Sequence, residues 1–197
     1  MPVSAPEPPP PSAAARDVRL AGCPLDIIEL SAFIAPAADA RRRVAGLELP
    51  GFGRVVLAAA QLVLSVRPGR WLVLAPPQHP GDAGAQWVGA CAAQGAVVEL
   101  SSALDIVVLG GRCAREVLAR GCRLDLDPAV FQTGSAAATI MAQVAVTLVA
   151  LPAALLLLTP ASTAQHLREW LTATARPFGL AAEPDLTFSD LCGDRWL

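Results

Sequence analysis

Residues 136–158 place the strongest constraint on what this chain can fold into. The run AAATIMAQVAVTLVALPAALLLL is twenty-three residues long, and its only polar side chains are Thr139, Gln143 and Thr147. That length fits one membrane-spanning helix. Its eleven Leu, Ile, Val and Met residues would contribute roughly −3 to −6 kcal/mol to insertion on a translocon scale. Pro152 opposes a helix by about 3 kcal/mol, less where neighbours repair the break. Energies of this size do not separate the alternatives, so the pattern has to. Residues 136–141, 144–151 and 154–158 are strand-length runs separated by Gln143 and Pro152. No Arg or Lys lies between Pro128 and Leu167 to set a membrane topology. We therefore read three strands, with a membrane anchor over 136–158 as the alternative.

The segment just upstream, residues 96–131, reads as strand, turn, strand, helix. Residues 96–100 and 106–109 are short apolar, β-branched runs separated by the polar SSALD. In the helix that follows, Ala114, Val117 and Leu118 share one face, while Arg112, Glu116 and Arg120 line the other at i,i+4 spacing. Gly121 is read as a left-handed stop. Asp127 can cap a further turn, with Pro128 at its first position.

The rest of the chain is punctuated by proline and glycine. Residues 1–16, rich in proline and lacking an apolar signal core, read as an extended, disordered head extending to residue 17. Residues 25–33 read as a strand and residues 36–46 as a helix, opened by Pro36 and closed by Gly46. A turn at Gly51, Phe52 and Gly53 precedes the long apolar run 55–66. The end of that run pairs with residues 71–74 through the turn Arg67-Pro68-Gly69-Arg70, where Pro presets one dihedral and Gly accepts the positive φ of the next. Trp71 is a core strand residue on this reading. Asp82 caps a helix whose apolar side is Trp87, Val88, Cys91 and Ala92, and Gly95 ends it. Ser162 and Gln165 have capping-box spacing at the start of a last helix, with Leu167, Trp170, Leu171 and Thr174 on one face and Pro177 at its end. Residues 181–197 read as an acidic tail that carries Phe188, Leu191 and Trp196. This order of elements defines an α+β protein with antiparallel sheets and helices packed on them.

Several kinds of chemistry have no local signature. The chain has fifteen Arg, no Lys and a net charge of −2, with basic residues scattered rather than striped, so nucleic acid is not an expected partner. The cluster Arg41-Arg42-Arg43 reads as a solvated helix end. The five cysteines, Cys23, Cys91, Cys113, Cys122 and Cys192, form no CxxC pair and read as reduced thiols in a cytoplasmic protein. With only His79 and His166, neither a zinc site nor a Ser-His-Asp arrangement is signalled. Gly110-Gly111 stands where phosphate loops live but lacks the GxGxxG spacing. Asp125 and Asp127 are explained by a turn and a cap. No catalytic, cofactor-binding or metal-binding residue is assigned.

The run EVLARGCRLDLDPAVF, with VVELSSA upstream and GSAAATIMAQVAVTL downstream, resembles the gamma subunit of heterotetrameric sarcosine oxidase. That family is related in fold to the folate-binding domain of the glycine-cleavage aminomethyltransferase. LELP at residues 47–50, RPGRWLVLAPP at 67–77, and LREWL followed by RPFGL between Leu167 and Leu180 extend the resemblance over residues 18–180. The order and spacing of these pieces carry it. Where the family has an Asp-X-Ser-Asp-Gly type of turn, this chain has Glu99-Leu100-Ser101-Ser102-Ala103, and its next strand lacks the usual Arg and Thr.

The resemblance implies a non-catalytic subunit of a flavin-dependent sarcosine oxidase or a related N-methyl amino acid oxidase or dehydrogenase. Its partners would be flavoprotein alpha- and beta-type subunits holding FAD, FMN, NAD and tetrahydrofolate, with no cofactor on this chain. The complex would demethylate its substrate oxidatively, pass the one-carbon unit to tetrahydrofolate and reduce oxygen. A hydrophobic content of 54% fits apolar surface covered by a partner, and Phe188, Leu191 and Trp196 are the candidate interface. The alternative on the same fold is a free-standing folate-dependent aminomethyltransferase, for which Glu99 is the positional candidate for a carboxylate at the pterin.

Overall fold

The computed structural model describes residues 17–32, 42–44, 47–58, 60–79, 82–91 and 95–193. In chain order the elements are β1 (Val18–Gly22), β2 (Asp26–Ala32), β3 (Arg42–Val44), β4 (Leu47–Leu49), β5 (Arg54–Ala58), β6 (Gln61–Arg67), β7 (Arg70–Ala75) and α1 (Ala85–Cys91). They continue with β8 (Gly95–Glu99), β9 (Leu104–Gly110), α2 (Ala114–Ala119), β10 (Ala136–Met141), β11 (Val144–Ala150) and β12 (Ala154–Pro160). The last are α3 (Ala161–Ala175), a 3-10 turn at Arg176–Phe178, β13 (Leu180–Ala182) and α4 (Phe188–Cys192).

Two large sheets form. One has six strands in the order β10-β11-β12-β9-β1-β13 and the other five in the order β5-β6-β7-β2-β8, while β3 and β4 pair separately. All pairings are antiparallel except β1 with β13. The sheets stack face to face. Ile106, Val108, Leu156 and Leu158 of the first sheet meet Ile27, Leu64, Leu72 and Leu74 of the second in one buried cluster. The alternate residues Val107, Leu109, Leu155 and Leu157 face the other way, against Val117 and Leu118 of α2 and Leu167 and Leu171 of α3. Ile28, Val63 and Val73 on the outer face of the second sheet pack with Trp87 of α1. The architecture is helix, sheet, sheet, helix. Strands at its centre are buried on both faces, which is why 154–158 reads as an unbroken apolar run.

The three strands expected in 136–158 are present, joined first by a two-residue hairpin at Ala142 and Gln143. Both residues have positive φ, 48° and 69°, the twist that closes a primed turn. The membrane-anchor alternative is overturned, since the segment is sheet and no helix among the described residues is long and apolar enough to cross a membrane. The 67–70 turn also forms, with Gly69 at φ 72°. Ser65 is buried within it, its hydroxyl 3.1 and 3.0 Å from the carbonyl oxygens of Arg67 and Arg70.

Other expectations are corrected. The run 55–66 is two strands folded back at Ala60, whose φ is 58°. Strands β8 and β9, read as neighbours, do not pair: β8 joins β2 in one sheet and β9 lies between β1 and β12 in the other. The turn at Leu100–Ala103 carries the chain across, held by Leu100 N donating to Ile27 O at 2.7 Å. Of the helix expected over 36–46, residues 42–44 are strand and residues 36–41, 45 and 46 lie outside the described residues. Gly95 begins a strand rather than ending a helix. The helix at Ala161 has Pro160 as its N-cap without a side-chain cap, and Gln165 instead donates to Glu169 at 2.9 Å. Strands β1 and β13 were not anticipated.

Gly121 is the clearest correction of a reason. Its φ is not among the positive ones; a Cβ there would overlap the Trp170 ring. The glycine is required by α2–α3 packing, not by a left-handed cap.

Candidate functional site

The glycine pair 110–111 sits where β9 turns into α2. Gly111 has φ 98°, and a Cβ there would run into the carbonyl oxygen of Asp17. That carbonyl also accepts Cys113 N at 3.1 Å, and Arg112 forms an ion pair with the Asp17 carboxylate through Nε and Nη2. The loop therefore clasps the chain's own residue before β1, and one of the N–H groups a phosphate would need is already bonded. Arg115 and Arg120 are likewise engaged. Arg115 donates to Leu126 O at 2.7 Å, and Arg120 lies 4.6 Å over the Phe178 ring. The solvated i,i+4 row expected of Arg112, Glu116 and Arg120 does not form as read, because Arg112 precedes the helix.

Asp125 and Asp127 behave as turn residues. Asp125 accepts Asp127 N at 3.0 Å, Asp127 accepts Ala129 N at 2.8 Å, and Phe131 N closes on Asp127 O at 2.8 Å. Glu99 is exposed at the end of the edge strand β8, with Ser101 Oγ 3.5 Å from its carboxylate. Ser101 Oγ also accepts Ile27 N at 3.0 Å. Glu99 lines neither of the clefts described below. His166 is exposed on α3, its Nε2 3.1 Å from Ala142 O, and His79 is an exposed loop residue. Trp71 is buried and donates to Pro50 O at 2.9 Å. Among the described residues no group of three or more His, Cys, Asp or Glu could hold a metal.

No disulfide joins the cysteines; Cys23 and Cys91 are buried and Cys192 is exposed. Burial, then the neighbouring carboxylates of Asp185 and Asp190 and the thiol of Cys192, push the Cys23 thiol up to about 12. Burial also raises Cys192. Neither thiol is set up as a nucleophile.

Residues 181–193 are ordered, unlike the tail expected there. β13 pairs with β1, Leu186 N donates to Gly22 O at 2.8 Å, and α4 begins with a reciprocal cap between Thr187 and Asp190. Phe188 and Leu191 are only 7% and 6% exposed and complete the cluster between the two sheets. Two of the three candidate interface residues thus belong to the chain's own core. Trp196 lies outside the described residues. What the sequence reading missed lies nearby. A cleft of about 240 Å³ runs between β5, the β11–β12 turn and α4, beside Phe52, Val56 and Leu57, large apolar residues exposed to solvent. A shallower groove of about 540 Å³ follows α3 past Asp105, Arg168 and Arg176, where Arg168 donates to Asp105 at 3.0 and 2.8 Å. No local pattern marks either one, because each joins segments distant in sequence.

The double antiparallel sheet with helices on its outer faces is an aminomethyltransferase-like fold. Glycine cleavage system aminomethyltransferase T from Bartonella henselae superposes with a TM-score of 0.61 at 13% identity, covering 86% of this chain. The match takes in 48% of that enzyme, about half its length. More similar is a chain of the heterotetrameric sarcosine oxidase from Corynebacterium sp. U-96, solved in complex with pyrrole 2-carboxylate. Here the TM-score is 0.71 and the identity 25%, over 86% of this chain and 89% of that one. No family model and no curated protein matches the sequence.

Proposed function

We propose that this chain is a non-catalytic, gamma-type subunit of a heteromeric flavin-dependent oxidase or dehydrogenase acting on sarcosine or a related N-methyl amino acid. The observation that carries this reading is the two-sided coverage of the sarcosine oxidase chain, 86% of one and 89% of the other. The chain is therefore matched to nearly a whole component of a multi-subunit enzyme, whereas it matches only half of the aminomethyltransferase. On this reading it serves assembly and stability in the cytoplasm. Flavoprotein alpha- and beta-type partners hold FAD, FMN, NAD and tetrahydrofolate, and carry out the oxidative demethylation. The occupied loop at Gly111 and the solvent-facing Glu99 support a role without chemistry of its own, and they weigh against the free-standing aminomethyltransferase.

Affinity purification of the full chain from its native cells tests the proposal. The expected result is copurification of larger chains with bound-flavin absorbance and sarcosine-dependent oxygen consumption. Recovery of the chain alone under every condition would overturn it. Tetrahydrofolate binding by the isolated chain, measured calorimetrically, would favour the transferase instead.

A further inference from the structure

Helix α3 presents two faces. Leu167, Leu171 and Ala175 are buried against the six-stranded sheet, while Glu169, Thr172, Ala173 and Arg176 line the open groove of about 540 Å³. Within that groove Asp105 and Arg168 neutralise one another at 2.8 Å. Glu169 accepts the neutral Gln165 amide at 2.9 Å, which leaves its charge uncompensated, and Arg176 enters no ion pair among the described residues. Both side chains are exposed. Seven positions separate them, so two helical turns return them to the same face about 10 Å apart. That is beyond the i,i+4 spacing at which helical neighbours pair. Between them stand two small residues, Thr172 and Ala173.

We propose that a second copy of this chain docks on the groove, its α3 lying antiparallel to the first about a two-fold axis that passes between Thr172 and Ala173. That axis sets Glu169 of each copy opposite Arg176 of the other, and Thr172 opposite Ala173, as an isologous contact requires. The order along the helix carries the choice of occupant. An acid one turn before the axis and a base one turn after it are self-complementary in the antiparallel sense, whereas parallel copies would set like charges together. Small side chains at the crossing let the two backbones approach to the roughly 8–10 Å of packed helices, which brings the long ionic side chains within reach on both sides. The helical overlap is about three turns. A contact of that length falls at the small end of interface sizes and dissociates on dilution. The proposal goes beyond the subunit reading above and does not depend on it.

Sedimentation equilibrium of the full chain, over about a hundredfold range of concentration, tests it. The parent is expected to show a monomer–dimer equilibrium that loosens in high salt, as contacts between exposed charges do. Glu169→Arg and Arg176→Glu should each weaken dimerisation about tenfold, because two attractive pairs become repulsive. An equimolar mixture of the two variants should regain the parent's affinity, since one copy is then basic and the other acidic along the whole face. The neutral variants Glu169→Gln and Arg176→Gln, checked by circular dichroism, should weaken it about threefold with the fold unchanged. A chain that sediments as a monomer throughout would overturn the proposal, as would a dimer indifferent to the single reversals or a mixture no tighter than its components. Reversals that spare self-association yet release flavin-bearing chains in a pull-down would assign the groove to another subunit, and that result also overturns it. Failure to copurify any flavoprotein would refute the subunit reading and leave this measurement unaffected.

Discussion

Replacing Phe188 by Ala separates a core role from an interface role for α4. The side chain is 7% exposed and packs in the cluster that holds Ala21, Cys23 and Leu25. Truncating a buried Phe to Ala costs about 3–5 kcal/mol. Because α4 is short and near the described end of the chain, the cost cannot exceed the free energy of peeling that segment away, so the lower end, about 3 kcal/mol, is expected. With a urea m-value of about 2 kcal/mol/M, the unfolding midpoint of the isolated chain should fall by ~1.5 M. Phe52→Ala, at a 69% exposed position, is the control and should stay within about 0.5 kcal/mol of the parent. Denaturation followed by circular dichroism reads both variants, and a pull-down with flavoprotein subunits provides the second axis. If Phe188→Ala leaves the midpoint unmoved yet abolishes partner binding, the side chain is an interface residue and the packing argument is wrong.

Three further outcomes are expected. Gly121→Ala forces a methyl group into the Trp170 ring; it should cost about 1–3 kcal/mol and shift Trp emission, and an unchanged spectrum and melting curve would refute the packing reason for the glycine. Gly89→Ala, in α1 with nothing near its added Cβ, should raise stability by roughly 0.5–1 kcal/mol through helix propensity, and a loss on thermal unfolding would count against a free helix surface there. A thiol reagent at neutral pH should label Cys192 in the folded chain and Cys23 only on unfolding. Because the fold raises the Cys23 thiol from 9.0 to about 12, the unfolded chain releases this proton first. The Cys23 contribution is therefore fully present below pH 9, is lost as pH rises from 9 to 12, and changes no further beyond that. A Cys23→Ala chain should lack that alkaline slope, and an unchanged slope would refute the assignment.

Local chemistry made some elements legible in the sequence. The three strands of 136–158 are legible because Gln143 and Pro152 break an apolar run at strand-length intervals. The 67–70 hairpin follows from Pro68 and Gly69, and the turn at Asp127 from a carboxylate that can reach its own backbone. These features need only neighbours in the chain, and so did the α+β class, which follows from their order.

What pairs with what was decided elsewhere. No local signal separates β8 from β9 into different sheets, because two short apolar runs joined by a tight turn could equally have paired as a hairpin; β8 pairs instead with β2, and β9 with β1 and β12. Gly111 and Gly121 flank the same helix, α2. One is required by the backbone of Asp17, which approaches from 94 positions away, and the other by the ring of Trp170. Phe188 and Leu191 read as a loose tail because five residues cannot hold a helix alone in water. They become core only where the cap at Thr187 and the groove between two sheets, built from residues far upstream, are already in place.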